Sequence, residues 1–236
     1  MALLKKILDL IYPPQEYCYN CSKRIDYSEL NHLCVTCLKK IDFIEEFCEK
    51  CGRELADGAE VCTGCLATEP VYSLARSIAV YEGIFRDLII KYKYTGKKEL
   101  YRPFSHLMLP YFNLYFKEKG IDYIIPIPLH QNREKKRGFN QVGLMAGELT
   151  QLTGIPLLAG LVRVKDSPPL YNLSTEERLR VITGCFNIVA NANLRDKTIL
   201  LVDDILTTGT TVNEASAVLL NQGKARAVYV LTLVSI

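Results

Sequence analysis

Apolar residues in the last two-thirds of the chain form short continuous runs separated by longer amphipathic stretches. A short, continuously apolar run is typical of a central strand in a parallel sheet, because both faces of such a strand are covered. Runs of this kind predict main strands at residues 77–81, 123–127, 198–202 and 227–234. Two weaker runs predict further strands at residues 160–164 and 185–189.

The stretches between these runs carry apolar residues every three or four positions, which predicts helices. They cover residues 84–94, 100–119, 140–152 and 212–222. The basic segment after Pro128 and the Pro-containing residues 167–177 are predicted to be loops. Because strands and helices alternate, the sequence predicts an α/β domain built around a parallel sheet.

The first fifteen residues have a pattern of their own. One apolar helical face ends at Pro13-Pro14, so residues 1–15 are predicted to form an amphipathic helix. Lys5, Lys6 and Asp9 interrupt this segment too often for a secretory signal. No stretch of the chain reaches the ~18–20 apolar residues of a membrane span. Without an export signal we expect a cytoplasmic protein with reduced thiols.

Composition and charge then narrow the function classes. Of the 236 residues 49% are hydrophobic and 23% are charged, which argues against a disordered chain. No low-complexity tract or solenoid-length repeat is present. Residues 1–70 hold 8 basic and 12 acidic side chains, whereas residues 71–236 hold 21 and 14. An acidic head on a basic body indicates two units, and the basic unit favours an anionic ligand or polymer.

Eight of the nine cysteines form four Cys-x-x-Cys pairs within residues 18–65. The pairs are Cys18/Cys21, Cys34/Cys37, Cys48/Cys51 and Cys62/Cys65. Two such pairs joined by a short hairpin complete a four-sulfur zinc site. Disulfides would need an oxidising compartment, and a redox motif normally occurs once. The spacing therefore predicts two structural zinc ions.

The order in which the pairs combine stays open at this stage. The short intervals favour consecutive pairing, which gives two zinc ribbons in series, over an interleaved arrangement that joins the first pair to the third. All ligand positions would be filled by the protein, so both sites are predicted to be structural. The chain thus divides into residues 1–15, a cysteine-rich double zinc-ribbon domain at 16–70 and the α/β domain at 71–236.

The stretch ILLVDDILTTGTT at residues 199–211 carries the strongest chemical signal. An apolar strand delivers Asp203 and Asp204 at its carboxyl end, where ligands bind in open α/β sheets. Four threonines around Gly209 then lead into a helix, and hydroxyls with backbone N–H groups at a helix N-terminus bind anions. The stretch lacks the Gly-Lys-Ser/Thr of a nucleotide P-loop. Carboxylates beside a phosphate cradle suit a sugar phosphate.

This stretch resembles the phosphoribosyl-pyrophosphate (PRPP) motif of type I phosphoribosyltransferases, and the chain as a whole resembles the ComF family of competence-associated proteins. Further landmarks of that resemblance lie at residues 81–96, 126–141 and 173–186, beside the cysteine-rich head. The resemblance implies a type I phosphoribosyltransferase-like parallel sheet with a small N-terminal zinc-ribbon domain.

The resemblance also implies roles for particular residues. Asp203 and Asp204 would face the ribose hydroxyls, and the 5′-phosphate would lie on the loop formed by Thr207, Thr208, Gly209, Thr210 and Thr211. The loop after Pro128 would approach the pyrophosphate, with Mg²⁺ between them. Arg133, Lys136 and Arg137 in that segment are the candidate pyrophosphate ligands, although four cations in five residues also suit a solvated loop.

Two hypotheses of function follow and stay open together. In the first, the protein transfers phosphoribose from PRPP to an unidentified nitrogen base. In the second, it keeps the PRPP site and acts in DNA uptake or in handling incoming single-stranded DNA, in company with a competence helicase or another DNA-handling protein. Weak binding of single-stranded DNA is expected through the basic body. Lys91, Lys93, Lys97 and Lys98 form a second basic tract, and its interleaved Tyr92, Tyr94 and Tyr101 suit either base stacking or the apolar face of a helix.

Overall fold

The computed structural model describes residues 16–25, 32–55, 58–166 and 174–236. The predicted N-terminal helix at 1–15 and residues 167–173 of the predicted loop lie outside these ranges. The strands are β1 (Glu16–Tyr17), β2 (Arg24–Ile25), β3 (Leu74–Val80), β4 (Tyr123–Pro126), β5 (Leu161–Arg163), β6 (Phe186–Ile188), β7 (Thr198–Leu206) and β8 (Ala227–Ser235). The helices are α1 (Val35–Leu38), α2 (Thr63–Ala67), α3 (Gly83–Tyr94), α4 (Tyr101–Tyr115), α5 (Gln131–Arg137), α6 (Gln141–Thr153), α7 (Thr175–Ile182) and α8 (Thr210–Asn221).

The predicted α/β class with a parallel sheet is confirmed. Strands β3, β8, β7 and β4 form a four-stranded sheet in that order, and each neighbouring pair is parallel. The continuous apolar runs of β7 and β8 are buried on both faces, as expected for central strands. The two weaker predicted strands, β5 and β6, exist but pair antiparallel with each other outside this sheet.

Three loop or boundary predictions are wrong. The basic segment after Pro128 is a loop in the prediction, but residues 131–137 form α5, which ends at Gly138 in the left-handed conformation. Residues 175–177 belong to α7, because Ser174 and Glu177 form a reciprocal capping box. The predicted helix 100–119 ends at Tyr115 and is followed by a separate 3₁₀ turn at residues 117–119.

The central strand is also longer than its apolar run predicts. It continues through both acidic residues to Leu206, because β8 keeps pairing with it as far as Leu206↔Ser235. Strand β4, on its other side, pairs only as far as Val202. Among the described residues, the segment from Asp203 to Leu206 therefore has a strand partner on one edge only, on the β8 side.

The sheet divides the apolar core into two clusters that both reach the cysteine-rich head. One cluster joins the face covered by α3, α4 and α6 to Cys18, Cys34 and Cys37. The other joins the α8 face to Cys48, Cys51 and Cys62. The head lies along the outer edge of β3, where the N–H of Ile44 donates to the carbonyl of Ile78 at 3.0 Å. No helix among the described residues is long and apolar enough to cross a membrane.

Candidate functional site

The eight paired cysteines come together as two groups of four. Sulfur atoms of the first two pairs lie within 4.8 Å of one another, and so do those of the last two pairs. We call these groups the first tetrad (Cys18, Cys21, Cys34, Cys37) and the second tetrad (Cys48, Cys51, Cys62, Cys65). The grouping is the consecutive arrangement that the short sequence intervals favour.

The geometry of the tetrads fits zinc. A tetrahedral site with Zn–S bonds of about 2.3 Å places its sulfurs about 3.8 Å apart. The Sγ atoms of Cys21 and Cys34 are 3.7 Å apart, as are those of Cys51 and Cys62. A disulfide needs about 2.05 Å, so these distances disfavour the disulfide alternative. Four thiolates without an open position suit a structural ion.

The two acidic residues differ in their environments. Asp203 is buried, and its Oδ1 accepts a hydrogen bond from the N–H of Asp204 at 2.9 Å. Burial, and then the negative charge of Asp204, raise the pKa of Asp203 to about 7. At neutral pH this carboxyl group is therefore poised between its neutral and ionised forms.

Asp204 has a counter-ion that sequence reasoning missed. The Nζ of Lys93, on α3, lies 2.8 Å from Oδ1 and 2.8 Å from Oδ2 of Asp204. The side chains of Lys93 and Asp204 are only 14% and 13% exposed. Considered from the sequence alone, the adjacent acids repel each other without compensation; in the structure Lys93 neutralises one of them.

The threonine loop lies directly beyond β7 and has the geometry of an anion cradle. Gly209 adopts the left-handed conformation (φ 77°) and caps α8, which begins at Thr210. The first-turn amides of a helix lack acceptors inside the helix, so they are available to an anion. The hydroxyl groups of Thr208 and Thr210 lie 2.7 Å apart. A small cavity of about 10 Å³ is lined by Asp203, Ile205, Leu206, Thr207, Gly209, Thr211 and Val212.

The basic residues predicted as pyrophosphate ligands, which follow β4, have different partners in the structure. Arg133 Nε lies 3.8 Å from Asp166 Oδ1, whereas Arg137 donates to Oε1 of Gln141 at 2.7 Å. The side chain of Lys136 lies outside the described part of the structure. The histidine that precedes α5, His130, has its Nδ1 3.4 Å from Asp166 Oδ2.

Arg163 on β5 is a second cation that sequence reasoning missed. It is buried, and the charge of Arg163 lowers the pKa of Asp203, in part offsetting burial and Asp204. Arg163 lies two residues after Leu161 in a predicted strand, so the side chains of both residues are on the same, buried face of that strand. A cation at a core-facing strand position is the signal that would have identified it.

The basic tract that contains Lys91, Lys93, Lys97 and Lys98 has both buried and exposed residues. Tyr92 is fully buried, and its hydroxyl donates to the carbonyl of Gln141 at 2.7 Å, so it is part of the core. Lys91 contacts Asn20 of the head, and Lys93 is held by Asp204. Lys97, Lys98 and the 70% exposed Tyr94 remain at the surface.

Comparisons with known proteins agree with this architecture. A family model described as a double zinc ribbon domain matches residues 7–66, and one described as a phosphoribosyl transferase domain matches residues 135–235. All eight cysteines of the two tetrads lie within the first match. The acidic pair and the threonine loop lie within the second.

Curated relatives cover most of the chain. Competence protein F of Haemophilus influenzae is 30% identical over 217 residues, which are 87% of this chain and 91% of that protein. Competence protein ComFC of Bacillus subtilis is 28% identical over 235 residues, 97% of this chain and 88% of that protein. The DNA utilization protein YhgH of Salmonella typhimurium is 26% identical over 197 residues, with 82% and 86% covered. Because the likeness to Competence protein F extends along nearly all of both chains, this protein belongs to the ComF family of competence proteins.

Proposed function

We propose that this protein binds PRPP with Mg²⁺ at the end of β7 and acts in natural competence, in DNA uptake or in handling incoming single-stranded DNA. The observation that carries the PRPP part is the direct succession, on one strand end, of two carboxyl groups and a helix-capping threonine loop. The competence part is supported by family membership and by the names of the relatives.

The acidic pair suits a ribose diol. Ionised carboxylates are acceptors only, so they recognise the two hydroxyl donors of a vicinal diol. No strand in the described part of the chain pairs with the β4 side of β7 beyond Val202, which supports a sugar beside Asp203 and Asp204. Lys93 stays next to Asp204 and offsets part of the negative charge that would otherwise repel a phosphorylated ligand.

The threonine loop suits the 5′-phosphate of the same ligand. Amide groups at the start of α8, together with the hydroxyls of Thr207, Thr208, Thr210 and Thr211, are donors for phosphate oxygens. The positive end of the helix dipole adds to this attraction. Asp203 and the loop residues Thr207, Gly209 and Thr211 line the same small cavity, which supports one ribose phosphate that contacts both the acidic pair and the loop.

The pyrophosphate would lie toward β5 and α5. Arg163 and Arg133 are cations on that side, and phosphate oxygens are typical arginine partners. Mg²⁺ prefers oxygen ligands and is commonly held by one or two carboxylates with substrate phosphates. Asp203 and Asp204 can supply the carboxylate oxygens, and the pyrophosphate supplies the others.

A role with single-stranded DNA is supported by exposed cations beside this site. Lys97 and Lys98 follow α3, and Lys135 is exposed on α5. Phosphate neutralisation by lysine gives sequence-independent, salt-sensitive binding. The adjacent exposed ring of Tyr94 offers a surface on which a base can stack. Partner proteins of the DNA-handling class would bind the protein with its bound DNA at this same surface.

The second candidate is a phosphoribosyltransferase, favoured by the family-model match to residues 135–235. It would use the same PRPP site to transfer phosphoribose to a nitrogen base, which forms the new bond to C1 of the ribose as pyrophosphate leaves. Calorimetric titration of the full chain with PRPP, with and without Mg²⁺, tests the shared proposal. We expect saturable binding that Mg²⁺ strengthens, and no binding under either condition would contradict it. Pyrophosphate release with candidate bases then separates the enzyme from the binding protein.

A further inference from the structure

One side chain connects the second tetrad with the threonine loop. Arg53 lies two residues after Cys51, and its Nη2 donates to the carbonyl oxygen of Thr207 at 2.7 Å. The two residues are 154 positions apart in sequence. Thr207 is the first residue of the loop, so this contact holds the loop at the point where it leaves β7.

The backbone of Arg53 is positioned by the turn that forms the tetrad. The N–H of Gly52 donates to the carbonyl of Cys48 at 2.8 Å, and the N–H of Cys48 donates to the carbonyl of Arg53 at 2.8 Å. Gly52 has φ 69°, and a Cβ there would lie 2.5 Å from the carbonyl oxygen of Ala75. The turn is therefore pressed against β3, and the direction of Arg53 depends on it.

The tetrad and the loop also line a common cavity. Its volume is about 440 Å³, and its walls include Cys51, Cys65, Thr208 and Thr210. The buried ring of Tyr72 lies between the two, because its hydroxyl is 3.7 Å from the position of a Cβ on Gly209. Arg53 also lines this cavity, so its hydrogen bond to Thr207 lies beside the space that the tetrad and the loop share.

We propose that Arg53 is a positioning residue that couples metal binding at the second tetrad to phosphate binding at residues 207–211. The inference rests on the proposed function of that loop. Four thiolates around Zn²⁺ carry a net charge of about 2−, which favours a guanidinium alongside. Metal loss releases the turn, and Arg53 then no longer holds the Thr207 carbonyl.

Coupling of this kind is reciprocal. If the metal strengthens phosphate binding, phosphate must strengthen metal binding at the second tetrad by the same free energy. The first tetrad supplies an internal control, because no hydrogen bond between described residues joins its cysteines to residues 207–211. Its metal should therefore respond to the ligand far less.

The binding test uses the full chain, ribose 5-phosphate and three variants. R53A removes the hydrogen-bond donor, and R53K keeps a single ammonium donor on a shorter side chain. R24A removes an exposed arginine from the first ribbon. We expect R53A to bind about fivefold to tenfold more weakly, R53K to fall between it and the parent, and R24A to match the parent. All variants should retain their zinc. Equal affinity of R53A and a binding-competent parent would overturn the coupling.

Hydrogen exchange supplies a readout that does not need a ligand. Amides of residues 207–211 should exchange at least about threefold faster in R53A and in C62S than in the parent, and should be unchanged in C34S. Unchanged exchange in R53A, which keeps every metal ligand, would overturn the coupling even if C62S fails to fold. A parent that does not bind ribose 5-phosphate would contradict the proposed function instead, and the exchange rates would still decide the coupling.

Discussion

The ammonium group of Lys93 bridges both carboxylate oxygens of Asp204, at 2.8 Å from each. This ion pair joins α3 to the end of β7 and is largely withdrawn from water. Removing one member of such a pair leaves the other as a partly buried, uncompensated charge. The pair therefore contributes to the fold and to the site at once.

Replacing Asp204 alone should destabilise the protein. We expect D204A to lower the free energy of unfolding by about 2–4 kcal/mol, because Lys93 is left without its counter-ion. The double variant K93M/D204A should recover at least half of that loss. Denaturant unfolding of the parent, D204A, K93M and the double variant gives the coupling energy between Lys93 and Asp204. Additive single-variant effects would show that the ion pair has no energetic role.

The raised pKa of Asp203 predicts a pH dependence of both stability and binding. Its folded-state pKa of about 7 lies above the ordinary value of 3.8, so its stabilising contribution is present below pH 3.8 and is lost as the pH rises through 7. Recognition of a diol by an ionised Asp203 should instead strengthen from pH 6 to pH 8.

The control for that pH dependence is D203N, which removes the titrating group and keeps its shape. PRPP ionises over part of the same range, so the decisive quantity is the difference between parent and variant. Calorimetric titrations at pH 6, 7 and 8 with Mg²⁺ should give a steeper rise in affinity for the parent. Parallel pH profiles would refute the assignment of the titration to Asp203.

The metal content follows from the two tetrads. We expect two zinc ions per chain, since each set of four sulfurs completes one tetrahedral site. C21S and C65S should each retain one. Elemental analysis of freshly purified protein provides the count. A single ion in the parent, or an unchanged count in either variant, would contradict the two-site description.

Binding of single-stranded DNA should depend on the exposed lysines beside the site. We expect K97A/K98A to reduce the slope of log affinity against log salt by about 1.4, because each of two phosphate contacts on a single strand contributes about 0.7. K117A/K119A removes two exposed charges from the 3₁₀ turn after α4 and should leave the slope nearly unchanged. Fluorescence anisotropy at several salt concentrations measures both. Equal slopes in the two variants would place DNA elsewhere.

Features determined by neighbouring residues were predictable from the sequence. The apolar runs of β7 and β8 and the Cys-x-x-Cys spacings each report on local structure, and the structure contains them. The helix at residues 131–137 was missed because its residues are polar and basic and therefore show no hydrophobic period. Its ends are marked only by the caps His130 and Gly138.

Contacts across long stretches of chain were not predictable. Lys93 and Asp204 are 111 residues apart, and Arg53 and Thr207 are 154 apart. A single sequence assigns a lysine on an amphipathic helix to the solvent face by default. Only the packing of α3 on one face of the sheet and of the cysteine-rich head along β3 brings these cations to the site.

The central claim is that the strand-end acids and the threonine loop bind PRPP, and calorimetry with PRPP and Mg²⁺ at pH 8 on D203A tests it most directly. The matched control is D122A, which removes a carboxylate that pairs with Lys197 at the opposite end of β7. Hydrogen bonds to a charged group contribute about 1.5–3 kcal/mol, so D203A should bind more than about tenfold more weakly. D122A should keep the affinity of the parent. Thermal melting of each variant verifies that it is folded. Equal affinity of folded D203A and parent would contradict the account.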